Sequence, residues 1–245
     1  MNNLQELTRF HQRIAEKIND NGASPVLIVA FGDSVTQGGT ALGEQIHDEV
    51  YHARFKRLLE ASYPNCIFSV INAGFGGWTA TGALSLLERN VLQHKPDLVL
   101  IAFGLNDAWQ GSDGLLVFAD SLRQAITRIH AETDSGVVVL TPSFMNKGNN
   151  AHVALEHQQL VEGMSAIQNS GTLAAYAQTV RQVANEMTVP VADVYAEWER
   201  MAISGINTDD MLANGLNHPN AEAHAIPAQL LLQLVAESGM PQMTP

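Results

Sequence analysis

Five short apolar runs rich in Val, Ile and Leu, at 26–31, 66–71, 98–103, 137–141 and 189–193, alternate with stretches of helical patterning. Runs of this length and composition read as strands buried on both faces. The helical patterns fall near 49–62, 79–92, 116–132, 172–187, 195–203 and 221–237. Ahead of the first strand, Leu4, Leu7, Phe10, Ile14 and Ile18 recur at helical spacing. That spacing predicts an amphipathic helix over 4–20, ended by the turn residues Asn19-Asp-Asn-Gly22. Strands that alternate with helices imply βαβ units, a parallel sheet with helices on both faces, and so an α/β protein. The 245 residues fit one α/β domain, and no repeat or charged linker divides them, so the expected organisation is a single domain over 1–245. The stretch 142–171 breaks the alternation. It opens with Pro142-Ser-Phe-Met-Asn-Lys-Gly-Asn-Asn150 and lacks an apolar run that could serve as a strand. It reads as a lid or binding loop, a floppy insertion or a short extra helix.

The first strand runs into Gly32-Asp33-Ser34. In an open parallel sheet, ligands bind beyond the carboxyl ends of the strands. By itself the triplet is equally compatible with a serine that caps the next helix. Other strand ends carry unusual polar chemistry too. Asn72-Ala-Gly-Phe-Gly-Gly-Trp-Thr79 follows the second strand, Gly104-Leu-Asn-Asp107 follows the third, and Asn214-Gly-Leu-Asn-His-Pro-Asn220 lies near the C-terminus. A parallel sheet puts the first three loops on one edge. A hydroxyl, a glycine backbone and a carboxamide then surround one point. These are the parts of an acyl-transfer site, and a histidine from the late loop would supply the base.

With these blocks in this order, over nearly the whole chain, the sequence resembles the SGNH hydrolases, the GDSL-type esterases and lipases. The resemblance implies a three-layer α/β/α sandwich with a flavodoxin-like parallel sheet of about five strands. It implies Ser34 as nucleophile and His218, of the His-Pro pair, as base. It implies an oxyanion hole built from the backbone N–H of Ser34, the backbone N–H of Gly77 and the side-chain amide of Asn106. One departure stands out. The family usually has an aspartate three residues before the histidine, and Gly215 holds that place, with Asn214 four before and Asp209 and Asp210 eight or more before. Three readings stay open: Asp210 folds back to the imidazole, a backbone carbonyl near 214–215 orients it, or the activity is lost or changed.

The activity expected is hydrolysis of carboxylic esters, of short acyl groups such as acetyl, on carbohydrates. A thioesterase or lysophospholipase on the same fold is the second reading, with 142–171 building an acyl channel. A non-catalytic carbohydrate-binding protein is the third. The net charge of −12 disfavours nucleic acid and anionic membranes and suits a small, neutral or weakly charged ester. No apolar run reaches the length of a membrane span, and the N-terminus lacks the pattern of a secretory signal, so a cytoplasmic protein is expected. No metal or organic cofactor is implied. The nine histidines show no zinc-helix spacing, Gly38-Gly39 lacks P-loop spacing, and Gly74-Phe-Gly76-Gly77 lacks the third glycine of a dinucleotide turn. Cys66, the one cysteine, reads as core. Asp33 and Asp107 read as turn-holders and His224 as a packing or capping residue. Trp78, Trp109 and Phe144 either line an apolar or sugar-stacking pocket or pack the loops onto the sheet.

Overall fold

Parallel strands cannot be joined by tight hairpins, so each apolar run must be followed by a crossover, and here the crossovers are helical. In the computed structural model, which describes residues 3–41 and 43–239, the strands are β1 (Val26–Gly32), β2 (Phe68–Gly74), β3 (Leu98–Ala102), β4 (Gly136–Leu140) and β5 (Val191–Ala192). They form one parallel sheet in the order β2-β1-β3-β4-β5. The helices are α1 (Thr8–Asn19), α2 (Ser34–Gln37), α3 (Tyr51–Ser62), α4 (Ala80–Ala83), α5 (Leu87–Asn90), α6 (Leu115–Glu132), α7 (Gln158–Asn169), α8 (Thr172–Met187), α9 (Val194–Ile203) and α10 (Ala225–Glu237). α3 packs against α10, and α6 against α8, so helices cover both faces of the sheet. The three-layer architecture expected from the sequence is the one observed.

Register sets the site. Gly32 pairs with both Gly74 and Ala102, and Ala102 pairs with Leu140, so β1 to β4 end level with one another. The loops that follow therefore emerge along one edge. The apolar runs of β1, β3 and β4 are almost wholly buried, and Phe31 meets Phe103 edge-on at 5.2 Å between ring centres.

Several boundaries differ from the pattern reading. The second strand runs from Phe68, not from 66, because Val26 pairs with Phe68, and it continues through Asn72. Asn72 is polar within a strand because its side chain accepts the Gly74 N–H and donates to the Gln37 carbonyl. The fifth strand has only two residues, where the run 189–193 suggested five. The helical pattern over 79–92 is split into α4, a 3-10 turn (Leu84–Leu86) and α5, and ends at Val91, whose φ of −129° leaves the helical region. The first helix begins as a 3-10 turn, Asn3–Leu7, before α1; Leu7, Phe10 and Ile14 are buried as expected, while the Leu4 side chain lies outside the described residues. Stretch 142–171 contains a 3-10 turn, Leu155–His157, and the helix α7. Among the described residues no helix is long and apolar enough to cross a membrane.

Candidate active site

Each sequence block is placed by local chemistry. Ser34 is the first residue of α2, and Asp33 caps that helix by accepting the Val35 N–H at 3.0 Å. Asn106 precedes a 3-10 turn after β3, and its Nδ2 donates to the Trp78 carbonyl at 2.9 Å. An amide nitrogen has two N–H groups, so the other is left for a ligand. Gly77 has φ +76°, a conformation glycine takes without strain. A Cβ built there meets no protein atom within 4 Å, so the constraint is the backbone angle, not crowding. Asp107 does not hold only its own turn: its Oδ1 accepts the Ala80 N–H at 2.9 Å and fixes the start of α4, tying the β2 and β3 loops together.

His218 sits on a loop organised by one side chain. Asn214 Oδ1 accepts the N–H groups of Leu216, Asn217 and His218, each at 3.0 Å. The Ala213 N–H donates to the His218 carbonyl at 2.7 Å. The imidazole is thereby brought to Ser34: Nε2 lies 2.9 Å from Ser34 Oγ, and Nδ1 lies 2.8 Å from the carbonyl oxygen of Thr40. A carbonyl can only accept, so Nδ1 carries the ring proton and Nε2 offers its lone pair to the serine O–H. The Thr40 carbonyl is aimed by a small turn in which the Thr40 N–H donates to the Glu44 carbonyl and the Ile46 N–H to the Gly38 carbonyl.

Asp210 is not brought to His218. Its side chain is 66% exposed and its Oδ1 lies 3.8 Å from Nε2 of His152, on the outer side of the 3-10 turn Thr208–Met211. Asp210 therefore does not serve as the displaced acid; of the open readings the geometry fits the backbone carbonyl, and that carbonyl comes from Thr40, not from 214–215. The neighbouring Asp209 accepts the Lys147 N–H and holds the 142–171 stretch. Gly215, at the place of the family's aspartate, has φ +67°, and a Cβ there would stand 2.5 Å from Asn150 Oδ1 and 2.7 Å from the Val153 nitrogen.

Ser34, Gly77, Asn106 and His218 line one cleft of about 370 Å³. Its walls add Gln37, Glu44, Gln45, Asn217, His157, Leu160, Met164 and Leu216. The sequence reading missed the Thr40 carbonyl, which has no side-chain signature. It missed the organising role of Asn214, which the Asn-Gly turn signal could have revealed. Of the readings of 142–171, the extra helix and the cleft-lining segment both hold: it forms α7, which brings Leu160 and Met164 to the cleft. Burial holds the His218 imidazole below its ordinary pKa, partly offset by the Thr40 carbonyl. Burial, with the nearby Asp107 charge adding to it, pushes the Asp33 carboxyl up to about 7. Burial likewise raises Asp107 to about 6. Such a site can lower the barrier to attack by a hydroxyl on a carbonyl carbon: a base beside the hydroxyl and N–H donors around the oxygen that becomes negative.

The remaining candidates are structural. His224 is buried, accepts the Tyr51 N–H at its Nδ1 and stacks on the Tyr51 ring. Cys66 is buried and its thiol is pushed up to about 11 by burial, which leaves it a poor nucleophile. Phe144 packs onto Tyr195 and Trp198 in the core. Trp109 is 46% exposed and lies against Gly163 of α7, and Trp78 is half-buried beside Phe75.

A model of the GDSL-like Lipase/Acylhydrolase family matches residues 30–226. An acetylxylan esterase from Geobacillus stearothermophilus is 26% identical over 219 residues, 84% of this chain and 92% of that protein. The lipoprotein YqeF of Bacillus subtilis (strain 168) is 26% identical over 204 residues, 79% of this chain and 80% of its own. The crystal structure of Axe2, an acetylxylan esterase from Geobacillus stearothermophilus, shares the fold with a TM-score of 0.66 at 24% identity, covering 87% of this chain and 95% of that one.

Proposed function

The chain belongs to the GDSL-like lipase/acylhydrolase family and is a carboxylic ester hydrolase, and from that premise we propose that it removes acetyl groups from carbohydrates through an acyl-enzyme on Ser34. The observation that carries the mechanism is the contact of 2.9 Å between Ser34 Oγ and His218 Nε2. In the first half-reaction Ser34 Oγ attacks the ester carbonyl carbon while its proton passes to His218 Nε2. The carbonyl oxygen takes up negative charge, facing the N–H groups of Ser34 and Gly77 and the free N–H of Asn106. The tetrahedral centre collapses, the C–O bond to the sugar breaks, and His218 returns the proton to the leaving alkoxide. In the second half-reaction His218 removes a proton from water, the hydroxide attacks the acetyl-serine, the bond to Ser34 Oγ breaks as His218 returns the proton to Oγ, and the acid leaves, ionising to acetate in solvent. Throughout, the Thr40 carbonyl holds the ring through its Nδ1–H.

Two observations support the substrate class. The acetylxylan esterase relative acts, by its name, on acetyl groups of a polysaccharide. The cleft carries Gln37, Gln45, Glu44 and Asn217, groups suited to sugar hydroxyls, beside the apolar side chains of Leu160, Met164 and Leu216. A long acyl chain would need a continuous apolar channel.

The test is release of acetate from acetylated xylo-oligosaccharides and from p-nitrophenyl acetate by wild type and Ser34→Ala. Wild type is expected to cleave both and to be labelled once by a fluorophosphonate, at Ser34; Ser34→Ala is expected to keep its fold and to lose turnover and labelling. Near-normal turnover by Ser34→Ala would overturn the mechanism. Cleavage of the nitrophenyl ester with no action on the acetylated sugars would overturn the substrate class alone.

A further inference from the structure

The cleft has two chemically different ends, and the strand order says where they are. Gln37, Gly76 and Gly77 belong to the β2 side: the Gln37 carbonyl accepts from Asn72 Nδ2 at 3.1 Å, and Gln37 Oε1 lies beside Gly76. Leu160, Met164 and Leu216 belong to the β4 side, since α7 follows β4 and the Leu216 carbonyl accepts the Asn146 N–H at 2.6 Å. In the order β2-β1-β3-β4 these sides are three strand spacings apart, roughly 14 Å. Ser34 and Asn106, which follow the two strands between, sit in the middle. One end of the cleft therefore carries the Gln37 amide, and the other carries the apolar Leu160, Met164 and Leu216 together with His157, Asn214 and Asn217.

The apolar end is a fixed wall. Leu160 and Met164 are four residues apart on α7 and share one helix face. Gln168 Oε1 accepts the Met145 N–H at 2.9 Å, Asn169 Nδ2 donates to the Lys147 carbonyl at 2.8 Å, and Trp109 lies so close to Gly163 that a Cβ there would be 2.8 Å from its ring. Asn150 Nδ2 donates to the Gly215 carbonyl at 2.8 Å, which joins this segment to the His218 loop.

An acetylated sugar has the same polarity as the cleft: a methyl group on one side of the reacting carbonyl and a hydroxyl-rich alcohol on the other. Hydroxyls turned onto the Leu160 and Met164 side chains would lose water and gain no partner from them, which is costly, whereas a methyl group there loses only contact with water. Resting on the serine-esterase reading above, we propose that the substrate lies across the sheet with its acyl group toward α7, that Leu160 and Met164 form the stop that limits acyl length, and that the alcohol lies toward Gln37. The 142–171 insertion thus acts as the acyl gauge of the enzyme.

The experiment compares kcat/KM for p-nitrophenyl acetate, butyrate and hexanoate, and for acetyl esters of several alcohols, in wild type, Leu160→Ala, Met164→Ala and Leu160→Phe. Leu160 is half-buried, so its replacement spares the fold better than that of the buried Met164. Leu160→Ala is expected to raise the butyrate-to-acetate ratio about tenfold, the usual effect of room for one or two methylenes. Leu160→Phe is expected to lower it. Preference among the alcohols of acetyl esters is expected to stay put in the α7 variants and to shift in Gln37→Ala. An unmoved butyrate-to-acetate ratio in folded Leu160→Ala and Leu160→Phe, or a changed alcohol preference in their place, would overturn the orientation while leaving the esterase reading intact. A wild type inactive on every ester would sink both.

Discussion

A peptide carbonyl beside an imidazole fixes its tautomer and its angle, as a carboxylate does, but brings no full negative charge. The Thr40 carbonyl therefore orients His218 without much raising its pKa, and burial wins: the imidazole titrates below its ordinary value. Since the neutral ring is the base, the lowered pKa keeps it competent further into acid. The acid limb of kcat/KM is expected to bend below pH ~6.5, the unperturbed histidine value. A limb centred well above that value would mean a carboxylate partner in solution. Asp210→Asn is expected to change kcat less than twofold, because that carboxylate is exposed and faces His152. By contrast, where a carboxylate does orient the histidine, as in the serine-protease triad, the aspartate-to-asparagine change costs ~10⁴ in kcat. Asn106→Ala is expected to lower kcat by ~10²–10³ with a smaller effect on KM, the usual loss for one oxyanion donor. A change confined to KM would reassign Asn106 to substrate binding.

Elements decide which residues can meet. The strand ends were legible in the sequence because buried parallel strands are continuous apolar runs, and each site residue except His218 follows one directly. His218 was legible through the His-Pro pair in a polar loop. Its orienting partner was not legible, since a carbonyl is common to every residue and only the turn over 38–46 aims that of Thr40. The 142–171 stretch was legible as a candidate binding segment, but not which of its residues face the cleft: Leu160 and Met164 share a face only because 158–169 is helical. The same insertion explains why an acid is absent from the place three residues before His218. Asn150 and Val153 occupy the space that any side chain on Gly215 would need. Gly215→Asp is accordingly expected to lower kcat, not to rebuild a triad. Backbone strain at φ +67° alone costs roughly 1–3 kcal/mol, a fall in Tm of about 5 °C or more once the clash is added. Thermal melts and kinetics on this single variant decide it: a stable Gly215→Asp enzyme with raised kcat would show that the insertion yields and that the acid was merely lost.

At the scale of the whole molecule, buried titratable groups set how the fold responds to acid. Burial lowers His11, His52 (to about 4), His218 and His224 (to about 3), while Glu6 raises His130. Burial raises Asp33 to about 7 and Asp107 to about 6. When the pH falls from 7 to 5, the unfolded chain takes protons on His52 and His224 that the folded protein refuses, and takes them on His11 and His218 ahead of the folded protein. The folded protein takes protons on Asp33 and Asp107 that the unfolded chain, with carboxyls near 3.8, refuses. Each unmatched proton is worth about 1.4 kcal/mol per pH unit, so the lowered histidines work against the two carboxyls and the raised His130 over this range. The stability contributed by the lowered histidines is present above the ordinary histidine value and lost below it, and the two carboxyls and His130 contribute in the opposite sense. The net charge of −12 also relaxes in acid, which favours the folded state, so the comparison belongs at about 0.15 M salt, where that repulsion is screened. Asp33→Asn is the decisive variant. Its side-chain oxygen can still accept the Val35 N–H, but it no longer titrates. Urea unfolding at pH 7, 6 and 5 is expected to show Asp33→Asn losing stability on acidification relative to wild type. Parallel curves for the two proteins would mean that Asp33 stays ionised in the fold and that its burial is compensated within the Ser34 turn.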